Sequence, residues 1–198
     1  MKTFGLTGGI GMGKSTAAQL LQARGVAVVD TDDLARQVVA PGQPAWREVQ
    51  GVFGKGIIGP EGELRRNELA RLVFSDLDAR RKLEAILHPR IQELWSAQLT
   101  TWRGEGRTLA VVVIPLLYET QAEAHFDAVI CVACTAATQQ ERLLARGWTA
   151  AESAQRIAAQ WPVAQKMAQA DYVVWTEAGT DVHAQQLGRI IGISANEK

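Results

Sequence analysis

A glycine-rich segment near the start of the chain carries the residues best suited to chemistry. Residues 8–15 read Gly-Gly-Ile-Gly-Met-Gly-Lys-Ser and satisfy the pattern G-x-x-x-x-G-K-[ST] in full. Glycines let backbone N–H groups curl around a phosphate, the lysine reaches the β- and γ-phosphates, and the serine hydroxyl ligates Mg²⁺. The predicted nucleotide contacts are Gly9, Ile10, Gly11, Met12, Gly13, Lys14, Ser15 and Thr16.

The surroundings of this segment favour a triphosphate-binding loop over two alternatives. An apolar run at 3–7 precedes it and an amphipathic segment at 14–24 follows, as a strand, loop and helix require. This setting disfavours a glycine-rich turn that binds nothing. A dinucleotide-binding turn that used Gly9 and Gly11 would need a third glycine at position 14, which is Lys14.

Two classes of nucleotide-binding protein are disfavoured because their motifs are missing or displaced in this sequence. A guanine-nucleotide switch would need an N-K-x-D motif and a D-x-x-G element, and the sequence contains neither. A motor or AAA-type ATPase would place an acid directly at the end of an apolar strand beside the loop. Here the run at 109–114 is followed by Pro115, and the acid is displaced to Glu119.

Three carboxylates, Asp30, Asp32 and Asp33, lie at the carboxyl end of the second predicted strand. The carboxyl edge of a doubly wound sheet is where ligands bind, so these groups should face the phosphate loop. A carboxylate there can accept the proton of a hydroxyl that attacks the γ-phosphate. Asp32 or Asp33 could equally cap the next helix, and neighbouring residues can divide the two roles.

Two arginines, Arg142 and Arg146, lie four residues apart on a predicted helix and should share one of its faces. On a mobile lid, such a pair can neutralise the charge that spreads over a phosphoryl group in transfer. Without the phosphate loop upstream, the same pair would be read as a solvated face. We expect the lid at about 138–165.

Short apolar runs alternating with helical patterns predict the elements that position these residues. The runs at 3–7, 26–30, 109–114, 128–132 and 172–175 predict five strands covered on both faces. Helices are predicted at 14–24, 33–39, 65–74, 76–87, 89–102, 138–146, 150–161, 163–169 and 182–191, with loops at 41–44 and 54–62. The fold class is α/β, with a doubly wound five-stranded parallel sheet of the P-loop NTPase type and helices on both faces.

The gap between the second and third strands is too long for one crossover helix, so it should hold an inserted helical subdomain. We predict one kinase-like domain over 1–198, with a core at about 1–30 and 109–198 and the insertion at about 31–108. The helix at 89–102 carries Trp95 and Trp102 on one face, which favours core packing.

The chain has 198 residues, and 21 basic side chains balance 21 acidic ones. This balance disfavours bulk attraction to nucleic acid or anionic membranes, so the expected partners are small molecules. No run approaches the ~20 apolar residues of a membrane helix, which favours a cytoplasmic protein. We expect a monomer or a weak homo-oligomer. Cys131 and Cys134 form no disulfide framework, and the histidines have no paired metal-binding spacing.

Five motifs in order resemble the dephospho-CoA kinase family. They are T-G-G-I-G-x-G-K-S-T at 7–16, V-D-x-D at 29–32 followed by R-Q-V-V, L-H-P at 87–89, P-L-L-x-E at 115–119 and R-x-x-x-R at 142–146. The resemblance implies transfer of phosphate from ATP, with Mg²⁺, to the ribose 3′-hydroxyl of dephospho-CoA, the last step of coenzyme A synthesis. It also implies that the inserted subdomain binds the substrate.

By motif position, the resemblance implies Asp32 as general base and Lys14, Arg142 and Arg146 as further catalytic residues. It assigns substrate binding to Asp32, Arg36, His88, Leu117 and Glu119. For His88, which precedes a proline suited to the first turn of a helix, a capping role is an alternative.

The chain departs from the family pattern in two places. Met12 stands where a small residue is common, although its backbone N–H still serves. The segment at 170–179 begins A-D-Y-V-V as in the family but lacks the usual Asn before its glycine, while Gln160, Pro162 and Lys166 match the pattern Q-x-P-x-x-x-K. Two other functions stay open: a kinase for another small acceptor and a regulatory ATP-binding switch.

Overall fold

Five parallel strands form the single sheet of the protein, seen here in a computed structural model that describes residues 1–192 except the side chain of Phe74. The strands are β1 (Lys2–Gly8), β2 (Ala27–Asp30), β3 (Leu109–Val113), β4 (Ala128–Ala133) and β5 (Tyr172–Trp175). Their order is β2-β3-β1-β4-β5, and every pairing is parallel. The predicted α/β class and five-stranded parallel sheet are confirmed.

The register brings the carboxyl ends of the strands to one edge of the sheet. Leu6 of β1 pairs with Val113 of β3 on one side and with Ile130 of β4 on the other. Asp30 at the end of β2 also pairs with Val113. The residues that follow β2, β3, β1 and β4 therefore leave the sheet at the same edge in that order, which is the arrangement that places a phosphate loop.

The structure divides into two compact units, which we call the core unit (Met1–Asp30 with Thr101–Lys198) and the helical unit (Thr31–Thr100). Helices of the core unit are α1 (Lys14–Gln22), α6 (Ala136–Ala145), α7 (Ala150–Ala158), α8 (Val163–Gln169) and α9 (Thr180–Ile191). Those of the helical unit are α2 (Thr31–Val38), α3 (Pro44–Phe53), α4 (Arg66–Ser75) and most of α5 (Leu77–Gly104). Short 3₁₀ turns occur at Lys55–Ile57 and Ala122–His125. Residues 193–198, the end of the predicted core, lie outside the described residues.

Each unit buries its own apolar cluster. In the core unit, helices α1 and α9 pack on the sheet face that carries Phe4 and Leu6, because alternate residues of a strand point to the same side. Helix α8 contacts β1 and β4. The cluster of the helical unit consists of Val39, Ala45, Val49, Ile57, Leu64, Leu69 and Ile86.

The helical unit differs from the predicted helices in three places. Helix α3 was not predicted, although Pro44 at its first turn and the buried pair Ala45 and Val49, four residues apart, are typical of a helix start and an apolar face. The predicted helices at 76–87 and 89–102 form the single helix α5. Helix α2 begins at Thr31, directly after β2, and not at residue 33.

Helix α5 runs through Pro89 without ending there. Proline has no N–H, so the carbonyl of Ala85 loses its usual helical partner. Both Ala85 and Pro89 are exposed, which leaves that carbonyl on a side where water can hydrate it. At the next residue, Nη1 of Arg90 donates to the carbonyl of Ile86 at 2.6 Å.

Across the described residues, no helix combines the length and the apolar character that crossing a membrane demands.

Candidate active site

The glycine-rich loop connects the carboxyl end of β1 to the amino end of α1 in a conformation that only glycine adopts easily. Gly8, Gly11 and Gly13 have φ angles of 147°, 75° and 97°. At Gly8, a Cβ atom would lie 2.3 Å from the carbonyl oxygen of Val132 on β4. Gly13 is the N-cap of α1 and supplies no side chain to the first helical amides. Those amides are suited to an anion.

The Lys14 ammonium lies across the loop. Its Nζ donates to the carbonyl oxygens of Gly8 and Gly9 at 2.8 Å and 3.0 Å. Ser15, the next residue, is exposed in the first turn of α1. The predicted cation and hydroxyl are therefore both at the helix end that a triphosphate would approach.

Three side chains from distant parts of the chain hold the loop. The amide of Ile10 donates to Oε1 of Gln160 at 3.0 Å, and Nε2 of Gln139 donates to the Ile10 carbonyl at 2.7 Å. The Thr176 hydroxyl donates to the Met12 carbonyl at 3.0 Å. Among these, sequence reasoning singled out only Gln160, from a family pattern.

A sequence signal for Gln139 exists. It lies four residues before Leu143, and both side chains are buried on the same face of α6. A glutamine on a buried face needs hydrogen-bond partners, so its position points to a polar contact inside the protein. Thr176 carries no comparable local signal.

The two predicted lid arginines have different surroundings. Helix α6 ends at Ala145, and Arg146 is its exposed C-cap residue. Arg142 is half-buried, and its Nη1 and Nη2 donate to the hydroxyl and the carbonyl of Thr176 at 2.9 Å and 2.5 Å. Arg142 is thus joined to the residue that holds Met12.

The three predicted carboxylates lie at the end of β2 and in the first turn of α2. Asp30 is the last residue of β2, at the carboxyl edge of the sheet. Asp32 and Asp33 lie exposed in the first turn of α2, so neither is the N-cap of that helix and the capping alternative was wrong. Asp33 pairs with Arg36 at 3.1 Å, and both side chains are exposed.

Two predicted substrate-binding residues lie in the core unit, one of them buried and the other mostly buried. Leu117 is completely buried, and a Cβ at Gly5 of β1 would lie 2.5 Å from it, so its side chain belongs to the core. Glu119 accepts from Nζ of the fully buried Lys166 and from the amide of Trp161, each at 2.8 Å. Lys166 also donates to the Pro115 carbonyl at 2.7 Å.

His88, the remaining predicted substrate contact, lies inside α5, so its alternative role as a helix cap was wrong. Burial lowers the pKa of its imidazole, with Glu84 acting to raise it and Arg80 to lower it. The two cysteines are buried, and burial raises the pKa of Cys131 to about 11 and also raises that of Cys134. A thiol with a raised pKa is a poor nucleophile, which disfavours redox chemistry at this pair.

Comparison with known proteins matches residues 2–181 to the model of a family described as dephospho-CoA kinase. The chain belongs to the dephospho-CoA kinase family. A relative so named from Anaeromyxobacter dehalogenans is 44% identical over 192 residues, which cover 96% of this chain and 91% of the relative. The family inferred from the five motifs is confirmed.

Solved structures agree with this fold. A crystal structure of a protein from Thermus thermophilus matches with a TM-score of 0.84 and 32% identity, and the match covers 96% of this chain and 95% of the other. A dephospho-CoA kinase from Campylobacter jejuni matches with a TM-score of 0.70 and 22% identity over 97% and 96% of the two chains. The phosphate loop of this dephospho-CoA kinase family member thus belongs to an ATP-dependent phosphotransferase.

Proposed function

We propose that this chain transfers the γ-phosphoryl group of ATP to the ribose 3′-hydroxyl of dephospho-CoA, which gives coenzyme A and ADP. The observation that carries the proposal is a family match over residues 2–181 that includes an intact phosphate loop with Lys14 beside it. We further infer small-molecule partners rather than nucleic acid, because 21 basic residues balance 21 acidic ones. A cytoplasmic monomer or weak homo-oligomer fits this role.

In the proposed step, the 3′-hydroxyl oxygen attacks the γ-phosphorus, the bond to the oxygen bridging the β- and γ-phosphorus atoms breaks, and ADP leaves with that electron pair. Asp32 accepts the hydroxyl proton as general base. The loop amides of residues 9–16 and Lys14 hold the phosphates. Arg142 and Arg146 offset charge that builds up on the phosphoryl oxygens.

The loop also fits a magnesium ion. Mg²⁺ prefers oxygen ligands, and the Ser15 hydroxyl is an exposed oxygen in the first turn of α1. The Ser15 hydroxyl would hold the ion. When bound, Mg²⁺ neutralises part of the negative charge of the β- and γ-phosphates. Within residues 1–192, no cluster of three or more His, Cys, Asp or Glu side chains is placed to bind a metal. Phosphate oxygens and water would complete the coordination, as is usual for this ion.

For the substrate side, we propose contacts from Arg36 and His88 in the helical unit. The burial of Leu117 leaves only its backbone for such a contact. The Glu119 side chain is 14% exposed and paired with Lys166. It would therefore support the segment after β3 that approaches the substrate, or contact the substrate only after leaving Lys166.

An acceptor assay tests the function directly. ATP, Mg²⁺ and the protein are incubated with dephospho-CoA, nucleoside monophosphates or shikimate, and ADP release is followed together with the phosphorylated product. We expect turnover with dephospho-CoA and product phosphorylated at the ribose 3′ position. Turnover with another acceptor and none with dephospho-CoA would sink the proposal, and slow hydrolysis without any acceptor would favour a regulatory switch.

Asp32→Asn tests the general base, with Asp33→Asn as the matched control. Both residues are exposed carboxylates in the first turn of α2, so either substitution removes one negative charge from the same helix end, and Asp33→Asn also breaks the exposed pair with Arg36. Loss of a general base lowers kcat by about 100-fold or more, whereas ATP binding persists. The assignment moves to Asp33 if the control alone loses turnover.

A further inference from the structure

Thr176 is the first residue after β5, and its exposed fraction is only 4%. All of its polar groups are used. Its amide donates to the Ala133 carbonyl at 2.8 Å, and its hydroxyl donates to the Met12 carbonyl at 3.0 Å. The hydroxyl and carbonyl oxygens accept from Nη1 and Nη2 of Arg142. One buried residue therefore joins β4, helix α6 and the phosphate loop.

The contact with the loop falls where its shape matters for phosphate binding. Met12 lies between Gly11 and Gly13, both of which have positive φ angles. A Cβ at Gly13 would lie 3.3 Å from the Cγ2 methyl of Thr176, so the side chain touches two consecutive loop residues. Its hydroxyl fixes the Met12 carbonyl on one side, which directs the next amide, that of Gly13, to the opposite side of the loop.

The hydrogen bonds around the hydroxyl have a defined direction. Arg142 has only donors, so it occupies a lone pair of the threonine oxygen and leaves the single hydroxyl proton for the Met12 carbonyl. A charged donor on one side of a hydroxyl strengthens the bond that the hydroxyl makes on the other side. The guanidinium thereby acts on the loop through Thr176.

We propose that Thr176 is a positioning residue that couples Arg142 to the phosphate loop and keeps the loop in the conformation that binds the triphosphate. The inference rests on the proposed function only in taking this loop as the ATP site. It adds a role for Arg142 besides charge neutralisation: the arginine shapes the binding site before the phosphate arrives.

Thr176→Val tests the coupling because valine keeps the branched shape and loses the hydroxyl. We expect affinity for the β,γ-imido analogue of ATP with Mg²⁺, measured by calorimetry without acceptor, to fall about tenfold. Thr176→Ser retains the hydroxyl and should stay within about threefold of the wild type. Thr180→Val, at an exposed threonine four residues further on, should leave affinity unchanged.

A mutant cycle separates coupling from a general loss of packing. In the Thr176→Val background, Arg142→Lys, which loses the planar pair of donors, should cost much less affinity than in the wild type. Additive losses would overturn the proposal, as would unchanged affinity in Thr176→Val or equal losses in the valine and serine variants.

Steady-state kinetics distinguish a positioning role from a general loss of structure, because only positioning should change one KM and leave the other constant. KM for ATP should rise in Thr176→Val, while KM for dephospho-CoA stays constant. If Thr176→Val does not fold, Thr176→Ala takes its place in the binding measurement and in the mutant cycle, where additive losses with Arg142→Lys again overturn the proposal. Because analogue binding needs no acceptor, its outcome is independent of whether dephospho-CoA is the substrate.

Discussion

The phosphate loop and the helical unit are built in different ways. The loop at 8–15 depends on side chains far along the chain, since its contacts with Gln139, Gln160 and Thr176 span 129, 150 and 164 positions. The helical unit has its own apolar cluster between Val39 and Ile86 and several ion pairs within single helices. A short segment with unusual backbone angles needs the whole core unit to hold it, whereas amphipathic helices need only one another.

The charged pairs show the same contrast. In the core unit, the Lys166 ammonium is fully buried and lies 2.8 Å from Glu119, which is 14% exposed. In the helical unit, Arg81 and Asp78 are 3.5 Å apart and both 78% exposed. Burial removes the hydration of an ion. The Lys166 ammonium therefore needs the Glu119 carboxylate for its stability, whereas Arg81 and Asp78 stay hydrated and gain little from each other.

Glycine substitutions should give the largest difference between the two regions. Gly8→Ala places a Cβ 2.3 Å from the Val132 carbonyl at a φ of 147°, so we expect loss of the folded loop and of all ATP binding. Gly51→Ala in α3 meets nothing within 4 Å and should stabilise the protein by up to about 1 kcal/mol. Urea unfolding and analogue binding measure both effects. Full activity of Gly8→Ala would contradict the loop geometry.

Breaking the buried ion pair should have the next largest effect. Lys166→Met leaves the Glu119 carboxylate without its cation, and we expect a loss of about 3–5 kcal/mol in the free energy of unfolding. Arg81→Ala should cost less than about 0.5 kcal/mol. The double variant Lys166→Met with Glu119→Gln should recover part of the loss. The contrast fails if Lys166→Met is no more harmful than Arg81→Ala in urea titrations.

The smallest expected effect is on the pH dependence of stability, in two separate windows. Hydrogen bonds from the Thr135 side chain and backbone lower the pKa of Glu177 to about 2. The folded state then binds fewer protons than the unfolded state, so this stabilisation is present above the unfolded pKa of 4.5 and fades as pH falls towards 2. Burial lowers the pKa of His88, so its stabilisation is lost as pH falls below 6.5.

Glu177→Gln should therefore make the urea midpoint depend less on pH between pH 4.5 and 2. His88→Gln should make the midpoint depend less on pH just below pH 6.5. Each variant serves as the control for the other. A change in the wrong window for either variant would contradict the corresponding pKa direction.

Much of the fold was predictable because its signals are local. Each strand was predicted to within one residue at either end, since short apolar runs bounded by polar residues are typical of parallel strands covered on both faces. The break predicted at Pro89 was wrong. Local rules favour a helix start at a proline, but buried Ile86, Trp95 and Leu99 lie along one continuous helix whose packing outweighs the lost hydrogen bond.

The sequence predicted which chemical groups the candidate site contains but not which side chains contact each other there. The loop pattern placed Lys14 and Ser15 correctly at the start of a helix, because the pattern itself encodes the backbone turn. The spacing of Arg142 and Arg146 predicted a shared role, yet the helix ends between them and only Arg142 is joined to the loop. A spacing rule holds only while the helix continues.

The sequence by itself determined the family, the sheet and the glycine-rich loop, because glycine conformation, helix periodicity and motif spacing are properties of neighbouring residues. Only the tertiary structure decided which side chains hold that loop and that Lys166 and Glu119 are paired in the interior. The physical reason is that a buried polar group takes the partner that folding brings within about 3 Å, and that partner can come from any position in the chain.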